Sequence, residues 1–247
     1  MIICHQKKFI FFHNKKTSGT TLEICLSKLC GIKDYISFNS NEAEKTKANL
    51  SFPPAQNFET RKINFKKTFQ NINCLSLILI KNYLFNKKKN LEKNFKIIQY
   101  LPKYYGHIDP VEFKKKTDLN IWNNYFKFTV YRNFSDQIYS MYNHHMTYKK
   151  YVTYDEYLDE NLDSFFKEVE KFYQYEEVFC LDFKKIGKSL DNFEKKINSS
   201  IKLYEIYQKI KTRNTYFKHP RILSQKNQKK IDSFNLYFLN LNKKKFV

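Results

Sequence analysis

Lys16, Thr17, Ser18, Gly19, Thr20 and Thr21 lie between an apolar run, Phe9-Ile10-Phe11-Phe12, and a helical pattern that opens at Leu22. A buried strand, a turn rich in hydroxyls and amines, and a capped helix together make an anion cradle. The first backbone N–H groups of a helix have no intrahelical partner and carry about half a positive charge, and neighbouring hydroxyls add donors. Thr20 or Thr21 is the expected N-cap.

The order of residues in this loop restricts what it can hold. A Walker loop, G-x-x-x-x-G-K-[ST], needs a glycine well before its lysine so that backbone amides wrap a polyphosphate, and a hydroxyl after the lysine for magnesium. Here Lys16 precedes Gly19 and no glycine lies upstream. The loop therefore fits one phosphate at the helix start, with Lys16 aimed at a bridging oxygen.

Composition narrows the rest. The chain of 247 residues carries a formal charge of +21 and is 42% hydrophobic, enough for one sizeable core. The basic excess is nearly all lysine, since the only arginines are Arg61, Arg132, Arg213 and Arg221. With Asn, Ile, Phe and Tyr also abundant, this is the signature of an AT-rich coding bias, so the charge implies no specific nucleic-acid partner. The same bias makes scarce residues informative. The 4 glycines stand at the cradle (Gly19), after the first helix (Gly31), before His107 (Gly106) and in Lys185-Ile186-Gly187-Lys188. An arginine in such a chain points to a need for its planar fork. The 5 cysteines, Cys4, Cys25, Cys30, Cys74 and Cys180, follow no metal-ligand spacing and read as reduced core thiols. No metal is implied. The early first strand leaves no room for a signal peptide and Cys74 to Ile80 is too short for a membrane span, so the expectation is a cytoplasmic protein.

At the cradle the sequence resembles the sulfotransferases that use 3′-phosphoadenosine 5′-phosphosulfate (PAPS), in particular their carbohydrate branch. The family's first motif is a strand followed by H-x-P-K-T-[GS]-G-T-[ST]. His13-Asn14-Lys15-Lys16-Thr17-Ser18-Gly19-Thr20-Thr21 matches it except for Lys15 in place of proline, with the lysine in register at Lys16. A second family motif, a strand ending in arginine with serine eight positions later, is similar to Phe128-Thr129-Val130-Tyr131-Arg132 and Ser140. An arginine at a strand end can fork onto a phosphate, and a serine about two turns into the next helix can donate to the same group. Looser echoes are Tyr105-Gly106-His107-Ile108, which looks like the G-H segment of 2-O-sulfotransferases acting on uronic-acid glycans, and Asp182-Phe183-Lys184-Lys185-Ile186-Gly187-Lys188, a late strand and turn. Residues 39–100 carry none of the likeness.

The resemblance implies in-line transfer of a sulfuryl group from PAPS to a carbohydrate hydroxyl, leaving adenosine 3′,5′-bisphosphate. Lys15, Lys16, Thr17, Ser18, Gly19, Thr20 and Thr21 are then expected to hold the 5′-phosphate, with Lys16 stabilising the departing oxygen. Arg132 and Ser140 are expected to hold the 3′-phosphate. His107 is the favoured base, because a histidine titrates near neutrality. Glu59, His144, His145 and His219 compete for that role, with His144 and His145 read as helix-surface residues. His13 is expected to end its strand with a backbone-facing hydrogen bond, and Arg213 and Arg221 to lie in a closing loop or in solvent. Two other functions stay open: a non-catalytic basic protein that binds glycans or nucleic acid on the same scaffold, and a kinase with an atypical phosphate loop.

These residues need a frame. Strands are expected near Lys7 to Phe12, Phe126 to Tyr131 and Val178 to Phe183, alternating with helices, which predicts a single α/β domain with a central parallel sheet; the resemblance implies that this is the P-loop-like sulfotransferase fold. Helices are expected from Asp109-Pro110, over Ser135 to Met146 with Ser135 as N-cap, over Tyr154 to Glu160 and Leu162 to Tyr173, and near Leu190 to Asn198 and Gln225 to Leu239. Trp122 should anchor the turn before the second strand. Residues 39–100 read as a mostly helical insertion or lid, broken by Pro53-Pro54, with one buried helix over Cys74 to Phe85 and a polar stretch over Asn86 to Lys96. Lys243 to Lys245 read as a solvated tail, and oligomeric state is not legible.

Overall fold

The computed structural model describes residues 1–57, 104–148, 152–210 and 219–246. Over these residues the protein is α/β, with a mixed five-stranded open sheet in the order β3-β1-β2-β4-β5 and nine α-helices. The strands are β1 (Ile2–Cys4), β2 (Phe9–Phe11), β3 (Tyr35–Ile36), β4 (Phe126–Tyr131) and β5 (Val178–Asp182). The helices are α1 (Gly19–Ser27), α2 (Asn41–Asn49), α3 (Pro110–Lys116), α4 (Leu119–Asn124), α5 (Phe134–Met146), α6 (Tyr154–Glu170), α7 (Ile186–Lys196), α8 (Leu203–Lys209) and α9 (Gln225–Asn242).

The three expected strands form the parallel part of the sheet, with Phe11 opposite Phe128 and Phe128 opposite Phe179. The sheet as a whole is not parallel. β1 runs antiparallel to both β2 and β3, because four residues after Cys4 turn the chain straight back, with Lys8 at φ 50° and the Asp34 carboxylate accepting the His5 N–H at 2.6 Å. A strand of three residues that makes its own hairpin leaves too little periodicity to be read in advance.

Strand alternation divides the core. Phe9 and Phe11 pack with Leu22, Leu26 and Phe193 beneath α1 and α7, whereas Ile10 and Phe12 pack with Phe113, Trp122 and Phe134 on the other face. Trp122 is buried before β4 as expected, and its indole N–H donates to Glu177 Oε1 at 3.2 Å.

Several boundaries move. α1 begins at Gly19, so neither Thr20 nor Thr21 caps it; Ser18 stands at the N-cap position, in a left-handed conformation at φ 62° and with no side-chain capping hydrogen bond among the described residues. α5 begins at Phe134 after Asn133, which leaves Ser135 inside the first turn rather than at the cap. The two helices expected between Tyr154 and Tyr173 are one, started by a capping box between Thr153 and Glu156. The C-terminal lysines are not all solvated: Lys245 is buried, and its carbonyl accepts the Cys180 N–H at 2.8 Å, so the tail covers the open edge of β5. Of the expected insertion, α2 is seen; Cys74 to Phe85 and Asn86 to Lys96 lie outside the described residues. No described helix is long and apolar enough to cross a membrane.

Candidate functional site

The loop from Phe12 to Ser18 leaves the C-terminal end of β2 and enters α1, the place where an open α/β sheet exposes its helix N-termini. Its shape is held from inside. Thr17 is fully buried and its hydroxyl donates to Asn14 O at 2.9 Å, so this hydroxyl serves the loop and not a ligand. The Asn14 amide donates to the Tyr173 hydroxyl at 3.0 Å, and that hydroxyl donates to Val130 O at 2.9 Å, tying the loop to β4. Gln137 on α5 donates from Nε2 to Lys15 O at 2.6 Å and to Asn14 Oδ1 at 3.2 Å.

Lys16 and Ser18 both adopt positive φ, at 56° and 62°. The first helical hydrogen bond runs from Leu22 N–H to Ser18 O at 3.1 Å, so the N–H groups of Gly19, Thr20 and Thr21 precede the intrahelical ladder and point out along its axis. Ser18 Oγ accepts from the Tyr207 hydroxyl at 3.0 Å, which leaves its own proton to donate.

Gly19 is required by a close approach. No glycine among the described residues has positive φ. A Cβ at Gly19 would instead overlap the His13 imidazole. The His13 ring is buried against α1, its Nδ1 3.4 Å from Glu23 Oε2, so it faces side chains and not the backbone as expected. Burial first, and then His107, pushes its pKa well below the usual imidazole range.

Two sequence-distant residues reach this loop. Arg132, at the end of β4, donates from Nη1 to Lys16 O at 2.8 Å and lies with its guanidinium carbon 4.8 Å over the Phe183 ring. Its Nε is buried and has no hydrogen-bond partner among the described residues. Burial lowers the Arg132 pKa, against the opposing pull of Asp136. His107 places Nδ1 2.9 Å from His13 O, and its ring packs edge-on against His13 at 4.4 Å between centroids. Burial drives the His107 pKa to about 4, opposed by the bond to His13 O, so this histidine does not titrate near neutrality as the sequence led one to expect. The ring is thus neutral at pH 7, and a proton on Nδ1 leaves Nε2 as an acceptor.

Lys15 forms an ion pair with Glu168 of α6 at the edge of this group. Ser140 lies about one turn beyond Gln137 along α5, and no hydrogen bond joins it to Arg132 among the described residues. No family model, curated protein or solved structure matches the chain. The reading of this site therefore rests on its own residues.

Other candidates fall elsewhere. The rings of His144 and His145, in the last turn of α5, lie edge-on to Tyr148 and Tyr157. His219 donates its N–H to Asn143 Oδ1 at 3.0 Å. Arg221 is held by Asp136 at 3.5 Å and by Ser135, against the start of α5. Arg213 and Glu59 lie outside the described residues. A cleft of about 400 Å³ formed by α7 and the loop that follows it is lined by Asp191, Glu194 and Lys202 among others, and contains none of the residues between Phe12 and Ser18. Cys4, Cys30 and Asp34 cluster in the core, where the Asp34 oxygens accept the N–H groups of His5 and Gly31.

Sequence reasoning missed Glu23, Asn14, Gln137, Tyr173 and Tyr207. Glu23 had a readable signal: a carboxylate within the first two turns of a helix whose other described residues up to Leu26 are mostly small or apolar.

Proposed function

We propose that the chain is a PAPS-dependent sulfotransferase of the P-loop-like type, acting on a carbohydrate hydroxyl. The observation that carries the reading is that Arg132 and His107, about 116 and 91 residues from Lys16, both hydrogen-bond to the backbone of the one loop that holds Lys16. The chain's residues fit a doubly phosphorylated nucleotide. The outward N–H groups at Gly19, Thr20 and Thr21 and the Ser18 hydroxyl suit the 5′-phosphate, and the buried Nε of Arg132, unpartnered among the described residues, suits the 3′-phosphate, with Ser140 further along α5.

PAPS supplies a sulfuryl group on a phosphate leaving group. The protein needs to align the acceptor and stabilise charge, much as in phosphoryl transfer. Lys16 stabilises negative charge on the departing oxygen. His107 is neutral and takes the acceptor proton at Nε2. Four described cysteines are free and buried, which suits the cytoplasmic location expected from the sequence.

The test is a thermal-shift comparison of adenosine 3′,5′-bisphosphate with 5′-AMP and magnesium-ATP. Selective stabilisation by the bisphosphate, about 2.7 kcal/mol at a hundred times its dissociation constant, is the expected result. No selective shift would sink the reading, and stabilisation by magnesium-ATP alone would favour the kinase. Turnover of labelled PAPS on a glycan panel then separates an enzyme from a non-catalytic binder, with Lys16→Ala expected to retain bisphosphate binding and lose turnover.

A further inference from the structure

Glu23 is a buried carboxylate with four polar neighbours. Its Oε1 accepts from the Ser37 hydroxyl at 3.2 Å and pairs with the Met1 ammonium, which also donates to Gly106 O at 3.2 Å. Its Oε2 accepts from the Asn39 amide and lies 3.4 Å from His13 Nδ1. The same Asn39 amide nitrogen is 3.3 Å from His13 Nδ1. Burying a carboxylate costs several kcal/mol unless its lone pairs are filled. Here the donors that fill it come from the N-terminus and from the segment after β3, and the Met1 ammonium among them also reaches the carbonyl of Gly106, next to His107.

The ring of His13 is therefore fixed on three sides: at Nδ1 by the Asn39 amide, which also donates to Glu23, by the bare backbone of Gly19 beneath, and by the His107 ring at its edge. Its carbonyl in turn meets His107 Nδ1. We propose that Glu23, Asn39 and His13 are positioning residues that fix the ring of His107 and its Nδ1–H tautomer, so that Nε2 stays the acceptor facing the hydroxyl to be sulfated. The inference rests on His107 being the base of the proposed reaction. The charged and titratable groups that bear on His107 are His13 in ring contact, the Met1 ammonium, Lys15 on the loop and Glu168 on α6. Lys15 and Glu168 pair with each other, and they pull His107 in opposite directions.

The experiment uses full-length protein labelled with ¹⁵N-histidine, comparing the parent with Asn39→Ala and Glu23→Gln. Long-range ¹⁵N–¹H spectra report each ring's tautomer without requiring turnover. The expected parent spectrum has His107 protonated at Nδ1. In both variants the tautomers mix, kcat falls about tenfold with KM little changed, and the bisphosphate thermal shift is kept. Asn39→Ala leaves the Glu23–Met1 pair in place and carries the test if Glu23→Gln does not fold. An unchanged His107 spectrum in Asn39→Ala, or a loss confined to KM, overturns the brace. A parent without a bisphosphate shift removes the nucleotide reading instead, and the histidine spectra still decide whether Glu23 and Asn39 set the ring.

Discussion

His107 Nδ1 lies 2.9 Å from the carbonyl oxygen of His13, across a sequence gap of 94 residues. This one bond joins the loop before α3 to the loop between β2 and α1, and it sets which nitrogen of His107 can act. Its consequence is a pH dependence of known sign. An unfolded histidine has a pKa of about 6.5, whereas burial holds His107 at about 4. Between those values the unfolded chain binds more protons, so stability should fall as pH drops from about 6.5 to about 4. His13 is shifted the same way, so His107→Gln should reduce this slope without abolishing it. Denaturant unfolding across that range is the measurement, and an identical slope in the variant would refute the assignment. In the proposed reaction the acid limb of kcat/KM should sit near the folded value, well below neutrality.

Arg132→Ala should weaken adenosine 3′,5′-bisphosphate by about 10- to 100-fold, the worth of a charge-assisted hydrogen bond. Arg132→Lys should not restore it, because an ammonium cannot hold Lys16 O and present a second N–H to a phosphate in the same plane. Titration calorimetry reads both, and full affinity in the lysine variant would argue against a fork.

Gly19→Ala should destabilise the fold by about 1–3 kcal/mol, since the new methyl group meets the His13 ring. The penalty should shrink in a His13→Ala background. Equal penalties in the two backgrounds, measured by a double-mutant cycle, would show that the ring is not the obstacle.

Tyr173→Phe should cost about 1–3 kcal/mol, because it strips a buried partner from both the Asn14 amide and Val130 O. If the loop owes its shape to that bridge, bisphosphate affinity should fall as well. Unfolding and calorimetry on the same variant separate the two effects.

The sequence by itself determined the local elements with strong periodicity or clear caps: β2, β4 and β5, α3 opening at Asp109-Pro110, and the loop that feeds α1. It determined the order of chemical groups in that loop, because the position of Lys16 relative to Gly19 is a covalent fact. The antiparallel β1, the shift of the N-cap position to Ser18 and the burial of Lys245 were decided by tertiary pairing, which propensity does not encode. The site shows the same division. Lys16, Arg132 and His107 were legible as residue types suited to anions and protons, but the partner each one takes was not. Which hydroxyl turns inward, that Lys15 pairs with Glu168, and that Glu23 is buried beside His13 depend on contacts between segments far apart in the chain. Burial then fixes which of those groups carry charge, and only the packed structure sets burial.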